Sequence, residues 1–303
     1  MRFTIYQESR PGKRRDNQDR IAHCYSRDAL LMVLADGMGG HLHGEVAAQI
    51  AVQYLTEAFQ REATPRLDDP FRFLADGLEN AHHAIVDYTD ERDLPDAPRT
   101  TCVVCVIQDN IAYWAHAGDS RLYQLRGDRV VTRTRDHSRV QMMVDDGVIT
   151  EHEALRHPAR NRVFSCLGGD VAPQIDFSRR TPLKAGDVLL LCSDGFWAPL
   201  GGDELERGYV TGDVMAVTPA MMDRAEELAG ESGDNLSVVV VQWQEGYDED
   251  TTSGITTETM PLDAHTTQMQ SFNTGRAAEP DLTEDDIERA IAEIQNAIGK
   301  YSK

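Results

Sequence analysis

Long apolar segments are missing from this sequence. No hydrophobic run approaches the roughly 18–20 residues that a membrane-spanning helix needs. The first residues, Met1 to Tyr6, lead directly into polar sequence and lack the apolar core of a signal peptide. The sequence therefore predicts a soluble, cytoplasmic protein with no membrane partner.

Basic residues are scarce relative to acidic ones. The chain has 30 Lys and Arg against 51 Asp and Glu, which gives a formal net charge of -21 at pH 7. An anionic field of this size repels a phosphate backbone. The composition therefore predicts that nucleic acid is not a partner.

Cysteine is also rare, with five residues in 303 and no paired-spacing framework. This pattern is typical of a reducing compartment. Cys102 and Cys105 match a C-x-x-C spacing, but they lie in a strand-like run, where positions i and i+3 point to opposite faces. We interpret them as small core residues. A zinc or redox pair is the less favoured alternative.

The pattern of apolar residues divides the chain into three parts. Residues 1–245 hold the strong periodic signal and predict one folded domain. Residues 246–280 are rich in Thr, Asp and Glu and predict an acidic linker or tail. Residues 281–303 predict a short amphipathic helix with isoleucines on one face. Two alternatives stand for this helix, which either docks on its own domain or binds a partner.

Within the main domain, the pattern predicts an α+β fold. Helical spacing over 45–60, 71–88 and 219–229 alternates with strand-like runs, and several of these runs between 100 and 135 are joined by short turns. Short turns favour antiparallel pairing, because parallel strands need long crossovers. We expect stacked sheets covered by helices.

Acidic residues occur where three apolar strands end or begin. Asp36 and Asp194 each follow an apolar run and precede Gly, and Asp234 precedes Asn and the run LSVVVV. Any single Asp-Gly pair is compatible with a simple turn. Several strand-end acids together repel one another unless a cation is present, and oxygen ligands select hard ions such as Mn²⁺ or Mg²⁺.

Six motifs in this sequence resemble those of the metal-dependent PPM-type Ser/Thr protein phosphatases, the 2C-like family in its bacterial form. They span roughly residues 3–243 and are Arg14-x4-Asp19, Ala35-Asp-Gly-Met-Gly-Gly-His41, Ala117-Gly-Asp-Ser-Arg121, Asp136-His-Ser138, Ser193-Asp-Gly-Phe196 and Asp234-Asn-Leu-Ser237. The resemblance implies an α-β-β-α sandwich of two antiparallel sheets flanked by helices. It also implies a centre of two Mn²⁺ or Mg²⁺ ions, with a third as an option.

The same resemblance implies a role for individual residues. Asp36 would bridge the two metals, and the Gly37 carbonyl would ligate one of them. Asp194 and Asp234 would complete one coordination sphere. Asp119 would share a third, weaker metal with Asp194.

The remaining roles concern water and substrate. Asp19 would hold metal-bound water or ligate directly. Arg14 would grip the substrate phosphate, with Arg15 as the alternative. A metal-bridged hydroxide would attack phosphorus. His41 and a metal-bound water are both candidates for the general acid, because Met38 stands where eukaryotic relatives have His.

A flap beside the active site is implied over residues 136–169, in which Val140, Met143, Val144 and Val148 are predicted to pack as a helix.

The overall prediction is a phosphatase of phosphoserine and phosphothreonine proteins that opposes a Ser/Thr kinase. The alternatives are a pseudophosphatase that acts as a regulatory binding module, and a phosphatase of small phosphoesters. The threonines near acids in the tail, such as Thr251 and Thr252, are candidate phosphorylation sites for the opposing kinase, and a passive polar linker is the favoured alternative.

Overall fold

The computed structural model describes residues 1–38, 43–209, 213–244, 255–256 and 260–269. The strands in these ranges are β1 (Arg2–Arg10), β2 (Asp19–Tyr25), β3 (Ala29–Met38), β4 (Arg99–Thr100), β5 (Cys102–Gln108), β6 (Ile111–Ala117), β7 (Arg121–Arg126), β8 (Arg129–Arg133), β9 (Asp176–Phe177), β10 (Thr181–Pro182), β11 (Val188–Cys192), β12 (Leu236–Trp243), β13 (Ile255–Thr256) and β14 (Thr266–Met269). The helices are α1 (Gly44–Glu62), α2 (Pro70–Glu91), α3 (Arg139–Asp145), α4 (Glu151–Ala154), α5 (Asp194–Gly208) and α6 (Val214–Ala229).

Two antiparallel sheets form the centre of the molecule. One has the strand order β13-β1-β12-β11-β7-β8, and the other has the order β10-β6-β5-β3-β2-β14 with β4 and β9 paired at its side. Helices α1 and α2 pack on the second sheet, and α5 and α6 pack on the first. The predicted α-β-β-α sandwich is therefore confirmed.

Both sheets are buried on both faces, which explains their continuous apolar sequences. In β3, Leu31 and Val33 face the helices α1 and α2, whereas Leu30 and Met32 face the other sheet. The valines of β12 alternate in the same way between the inter-sheet core and the core under α5 and α6. Because side chains alternate between faces along a strand, such a run fills two cores at once.

The cysteines confirm this alternation. Cys102 lies in the core under α1 and α2, and Cys105 lies in the core between the sheets. Both are fully buried free thiols, and burial raises the pKa of Cys102 to about 12. Neighbouring thiols on opposite faces cannot bind one metal ion, so their interpretation as small core residues is supported.

Two helices differ from their predicted bounds. α6 begins at Val214, five residues before Pro219, because Asp213 caps it by accepting a hydrogen bond from the Met215 amide at 3.0 Å. The apolar pattern predicted a start at about Pro219, and proline is favoured in the first turn of a helix. α5 was not predicted at all, since Pro199 and the non-helical Gly201 interrupt its pattern.

Part of the predicted acidic linker is ordered in strands. β13 pairs with β1, and β14 pairs with β2 at the edge of the second sheet. Backbone pairing and contacts such as Met269 against the helical core stabilise these two stretches of the predicted linker or tail. The predicted C-terminal helix over 281–303 and the tail residues Thr251 and Thr252 lie outside the described residues.

The flap over residues 136–169 contains α3 and α4. A single β-bridge between Ser138 and Val163 joins the two ends of the flap. A second bridge, between Thr100 and Leu167, connects the flap to β4. Val140 is buried, but Val148 is 66% exposed, so the predicted packing stripe is wrong for Val148.

No helix in the described part of the chain combines the length and apolar character that crossing a membrane requires.

Candidate metal centre and active site

Asp19 and Asp36 lie side by side on neighbouring strands. They are directly opposite each other in the antiparallel register of β2 and β3. Opposed residues of such a pair hold their Cβ atoms about 4.5–5.5 Å apart. Asp19 is only 2% exposed, and Asp36 is partly buried.

Threonine residues hold the backbone of Asp36 in place. The Asp36 carbonyl accepts hydrogen bonds from Thr100 Oγ1 at 2.9 Å and from the Thr101 amide at 2.8 Å. The next residue, Gly37, packs directly against the carbonyl groups of Gly44 and Gln18, and a Cβ atom at Gly37 would overlap with both. This close packing explains why glycine follows Asp36.

Asp194 and Asp119 approach from the other sheet and from the turn between β6 and β7. Asp194 follows β11 and is the first residue of α5, where the helix dipole favours a negative charge. Asp119 is 5% exposed, and its carbonyl accepts a hydrogen bond from Trp197 Nε1 at 3.0 Å. Helix α5 thus positions both acids.

Arg14 forms a two-point ion pair with Asp234. Arg14 Nε and Nη2 donate to Asp234 Oδ1 and Oδ2, each at 2.8 Å. This hydrogen bonding raises the pKa of the guanidinium, which keeps its charge. The Arg14 side chain is 57% exposed and therefore remains open to solvent beside the acids. Arg15 is exposed as well.

Asn235 ties the loop between β1 and β2 to the start of β12. Its Nδ2 donates to the carbonyls of Pro11 and Asp16, each at 3.0 Å, and its Oδ1 accepts from the Gln18 amide at 2.9 Å. Asn235 belongs to the motif Asp234-Asn-Leu-Ser237, but no role for it was predicted from the sequence. Its side chain fixes the loop that carries Arg14 relative to Asp234.

One oxygen of Asp19 lacks a hydrogen-bond partner among the described residues. Asp19 Oδ2 accepts a hydrogen bond from Ser193 Oγ at 2.9 Å, and that hydroxyl in turn accepts from the Ser237 amide at 3.0 Å. Asp19 Oδ1 is buried and has no hydrogen-bond partner among the described residues. A buried carboxylate oxygen without a partner costs free energy unless a ligand completes it.

We call Asp19, Asp36, Asp119, Asp194 and Asp234 the carboxylate cluster. Burial and, secondarily, repulsion between these acids raise the pKa of Asp36 and Asp119 well above the ordinary value. Burial and repulsion from Asp234 and Asp19 raise the pKa of Asp194 to about 7, and burial raises that of Asp19 to about 6. Without a cation, the cluster resists carrying its full negative charge.

These features fit hard divalent cations. All five side chains of the cluster offer carboxylate oxygens, and oxygen donors suit Mg²⁺ and Mn²⁺. A bound cation would offset the repulsion between the carboxylates and would give Asp19 Oδ1 a partner. His41, a candidate general acid, lies outside the described residues.

A second group of possible ligands lies near the Asp119 turn. One ligand atom each from His116, His137 and Asp176 lie within 4.8 Å of one another. His116 fits a metal ligand, since its Nε2 donates to the Arg135 carbonyl at 2.8 Å. His137 does not, because its Nδ1 accepts from the Gly118 amide at 3.3 Å.

The tautomer of His137 decides the interpretation of this group. With Nδ1 accepting, the proton lies on Nε2, which is 3.2 Å from Asp176 Oδ2. Nε2 makes no hydrogen bond to any described residue, so the pair is an electrostatic contact in which a proton, rather than a free lone pair, faces Asp176. The carboxylate cluster is therefore the better metal centre.

Comparison with known proteins identifies the family. A family model described as protein phosphatase 2C matches residues 8–232. The chain belongs to the protein phosphatase 2C family. The protein phosphatase PhpP of Streptococcus pneumoniae is 34% identical over 239 residues, which covers 77% of this chain and 94% of the relative. The serine/threonine phosphatase Stp of Listeria innocua is 31% identical and covers 70% of this chain and 84% of the relative.

Solved structures agree with this assignment. The serine/threonine phosphatase of S. agalactiae superposes with a TM-score of 0.72 at 26% identity, covering 80% of this chain and 100% of that one. The catalytic domain of PstP, solved with two manganese ions, gives a TM-score of 0.67 at 28% identity, covering 81% and 100%. The resemblance found in the sequence is confirmed, and with it the prediction of a protein-serine/threonine phosphatase.

Proposed function

We propose that this phosphatase hydrolyses phosphoserine and phosphothreonine on proteins with divalent cations held by the carboxylate cluster, and that it opposes a Ser/Thr protein kinase. The observation that carries the proposal is the repulsion that Asp36 receives from the other four acids of the cluster, one of which, Asp19, keeps a buried oxygen without a partner among the described residues. The manganese ions in the PstP structure support Mn²⁺ as one candidate ion, and Mg²⁺ is the other.

The residues that would hold the ions come from several elements. Asp36, Asp194, Asp234 and the Gly37 carbonyl would bind the main pair, and Asp119 would share a third ion with Asp194. Asp19 would contact the ions directly or through water. When bound, such cations act as Lewis acids and lower the pKa of coordinated water to near ~7.

The side chains of the protein position the substrate. The planar fork of Arg14 can bind two phosphoryl oxygens at once, as it binds the two oxygens of Asp234 here. Asn235 fixes the backbone of the loop that carries Arg14, and the Asp234 carboxylate orients the guanidinium beside the acids. Arg15, also exposed on this loop, is the alternative contact.

The reaction exchanges one ester bond for another bond to phosphorus. The bond between phosphorus and the seryl or threonyl oxygen breaks, and a bond between phosphorus and a water oxygen forms. One proton of that water ends on the released hydroxyl group, and inorganic phosphate leaves. We propose His41 or a water molecule as the source of the proton for the leaving oxygen.

Initial rates on a phosphothreonine peptide and on a small aryl phosphate test this proposal. They are measured with Mn²⁺ or Mg²⁺ added and then chelated, for the wild type and for Asp194→Asn, which removes one ligand charge at nearly constant shape. Mn²⁺ binding is followed in parallel by calorimetry. Asp76→Asn, at an exposed carboxylate on α2, is the matched control.

Each outcome distinguishes the candidates. Metal-dependent release of phosphate from the peptide, lost together with Mn²⁺ binding in Asp194→Asn, supports the proposal. Turnover of the aryl phosphate alone would instead indicate an enzyme for small phosphoesters. Mn²⁺ binding without turnover of either compound would indicate a pseudophosphatase.

A further inference from the structure

A groove of about 660 Å³ opens beside the carboxylate cluster. Asp119 and Asp194 line one part of it, the flap helices α3 and α4 form one wall, and the first half of α5 forms the other. Anything that binds in this groove is therefore next to the proposed reaction centre.

The floor of the groove is apolar. Val140 and Leu155 contribute from the flap, and Trp197 and Leu200 contribute from α5. Trp197 and Leu200 are 8% and 6% exposed, so their positions are fixed by packing. An apolar floor under polar walls suits an extended peptide whose side chains alternate between floor and rim.

The acidic side chains along the groove outside the carboxylate cluster already have cationic partners. Asp136 is paired with Arg121 at 2.8 Å, Glu151 with Arg133 at 2.6 Å and Glu204 with Arg224 at 2.9 Å. The charges of Asp119 and Asp194 belong to the carboxylate cluster.

Two arginines of the groove are different. Arg156 and Arg160 follow α4, line the groove and are exposed. Within the described part of the chain, no acidic side chain pairs with either guanidinium. The groove thus presents two guanidinium groups that have no acidic partner among the described residues, in a protein whose net charge is -21.

We propose that this groove binds the residues that flank the phosphorylated one, and that Arg156 and Arg160 select substrates with acidic side chains at those positions. This inference rests on the proposed function. The net negative charge of the molecule repels an acidic peptide. A local pair of guanidinium groups therefore decides whether the acidic residues beside the phosphorylated one can bind in the groove. Guanidinium groups also bind carboxylates with two parallel hydrogen bonds.

Two phosphothreonine peptides measure this selectivity. One copies residues 246–256 of this chain with phosphate on Thr251, which places Asp248, Glu249 and Asp250 directly before it. The other replaces these three acids with Asn, Gln and Asn. We expect the wild type to favour the acidic peptide by roughly 3- to 10-fold in kcat/KM, mainly through KM, as exposed ion pairs are individually weak.

Variants assign the selectivity to the two arginines. The double variant Arg156→Gln, Arg160→Gln should lose the preference and keep its rate on a small aryl phosphate, which has no flanking residues. Arg179→Gln, Arg180→Gln changes the net charge equally at residues that do not line the groove, and it should keep the preference. Raising the salt concentration should reduce the preference of the wild type.

The results separate this inference from the proposed function. Equal kcat/KM on both peptides in the wild type overturns the inference and leaves the proposed function standing. A preference that survives in the double variant, or that disappears equally in the control variant, also overturns it. If the aryl phosphate is hydrolysed and neither peptide is, both proposals fail together.

Discussion

Arg121 and Asp136 form a buried two-point ion pair. Arg121 Nε and Nη2 donate to the two oxygens of Asp136, each at 2.8 Å, with side-chain exposures of 10% and 5%. The guanidinium carbon also lies 3.3 Å from the centre of the Trp197 ring. The pair joins the turn that carries Asp119 to the start of the flap. Two motifs that are separate in the sequence thus act as one structural unit.

Breaking this ion pair should destabilise the fold. In Asp136→Asn, the Arg121 guanidinium keeps its charge in a buried site without a carboxylate, and such losses cost about 3–5 kcal/mol. Urea unfolding measures the change. The exposed pair between Arg72 and Asp76 on α2 is the matched control, and Asp76→Asn should cost about 0.5 kcal/mol or less. Similar losses in both variants would contradict this account.

Ser193→Ala should weaken metal binding and cost about 1–3 kcal/mol of stability, because it also leaves the buried Ser237 amide without its acceptor. The hydroxyl of Ser193 orients Asp19 through a 2.9 Å hydrogen bond. Loss of such an outer partner typically lowers metal affinity about 10- to 100-fold. Titration calorimetry with Mn²⁺ measures the affinity, and Ser232→Ala on the exposed turn after α6 serves as the control. An unchanged affinity in Ser193→Ala would show that Asp19 needs no such partner.

The metal-free protein should lose stability as pH rises from about 4 to about 7. The pKa of Asp194 is raised to about 7 and that of Asp19 to about 6, so the folded chain holds more protons than the unfolded chain in this range. Stability from these groups is therefore complete below about pH 4 and is lost as pH rises through their folded pKa values. Mn²⁺ should restore stability near pH 7, because it binds the deprotonated acids.

Asp194→Asn isolates this effect from other groups. Burial lowers the pKa of His23 to about 4 and also lowers that of His116, and these groups change stability in the opposite direction. The readout is therefore the difference in thermal midpoint between wild type and variant in chelator. As pH rises, the thermal midpoint of the variant should increase relative to that of the wild type, since the amide of the variant does not titrate. A constant difference would argue against raised pKa values.

The ends of the apolar runs could be predicted from the sequence, and with them the acids of the candidate metal centre. Asp36 and Asp194 follow runs whose strand character is evident from their length and apolar composition. Their convergence came only from the family resemblance, since pattern alone does not say which strand ends meet. The register that pairs Asp19 with Asp36 depends on contacts between distant parts of the chain.

Other features escaped prediction for the same physical reason. The role of Asn235 consists of contacts with backbone groups more than 200 positions away, which no local pattern reports. The strand β14 is polar and forms because β2 offers it an open edge. Helix α5 carries Pro199 and Gly201, so its helical period is hidden.

Arg14 and Arg15 can be distinguished by conservative substitution. Arg14→Lys removes the two-point fork seen on Asp234 and should lower kcat/KM on a phosphothreonine peptide by about 100-fold, the scale of losing one oriented donor in an active site. Arg15→Lys should have a much smaller effect. Mn²⁺ affinity, measured alongside, should stay close to that of the wild type in both. The opposite order of effects would assign phosphate binding to Arg15.

Gly195 should be intolerant of any side chain. A Cβ atom there would overlap with the Asn235 carbonyl oxygen, which is backbone and cannot move without displacing Asp234. Gly195→Ala should therefore separate Asp194 from Asp234, lower Mn²⁺ affinity and cost about 1–3 kcal/mol of stability, as overpacking does. Gly202→Ala lies on the same helix with open space around its Cβ and is the matched control. If both variants bind Mn²⁺ as the wild type does, close backbone packing at Gly195 is not what positions the two acids.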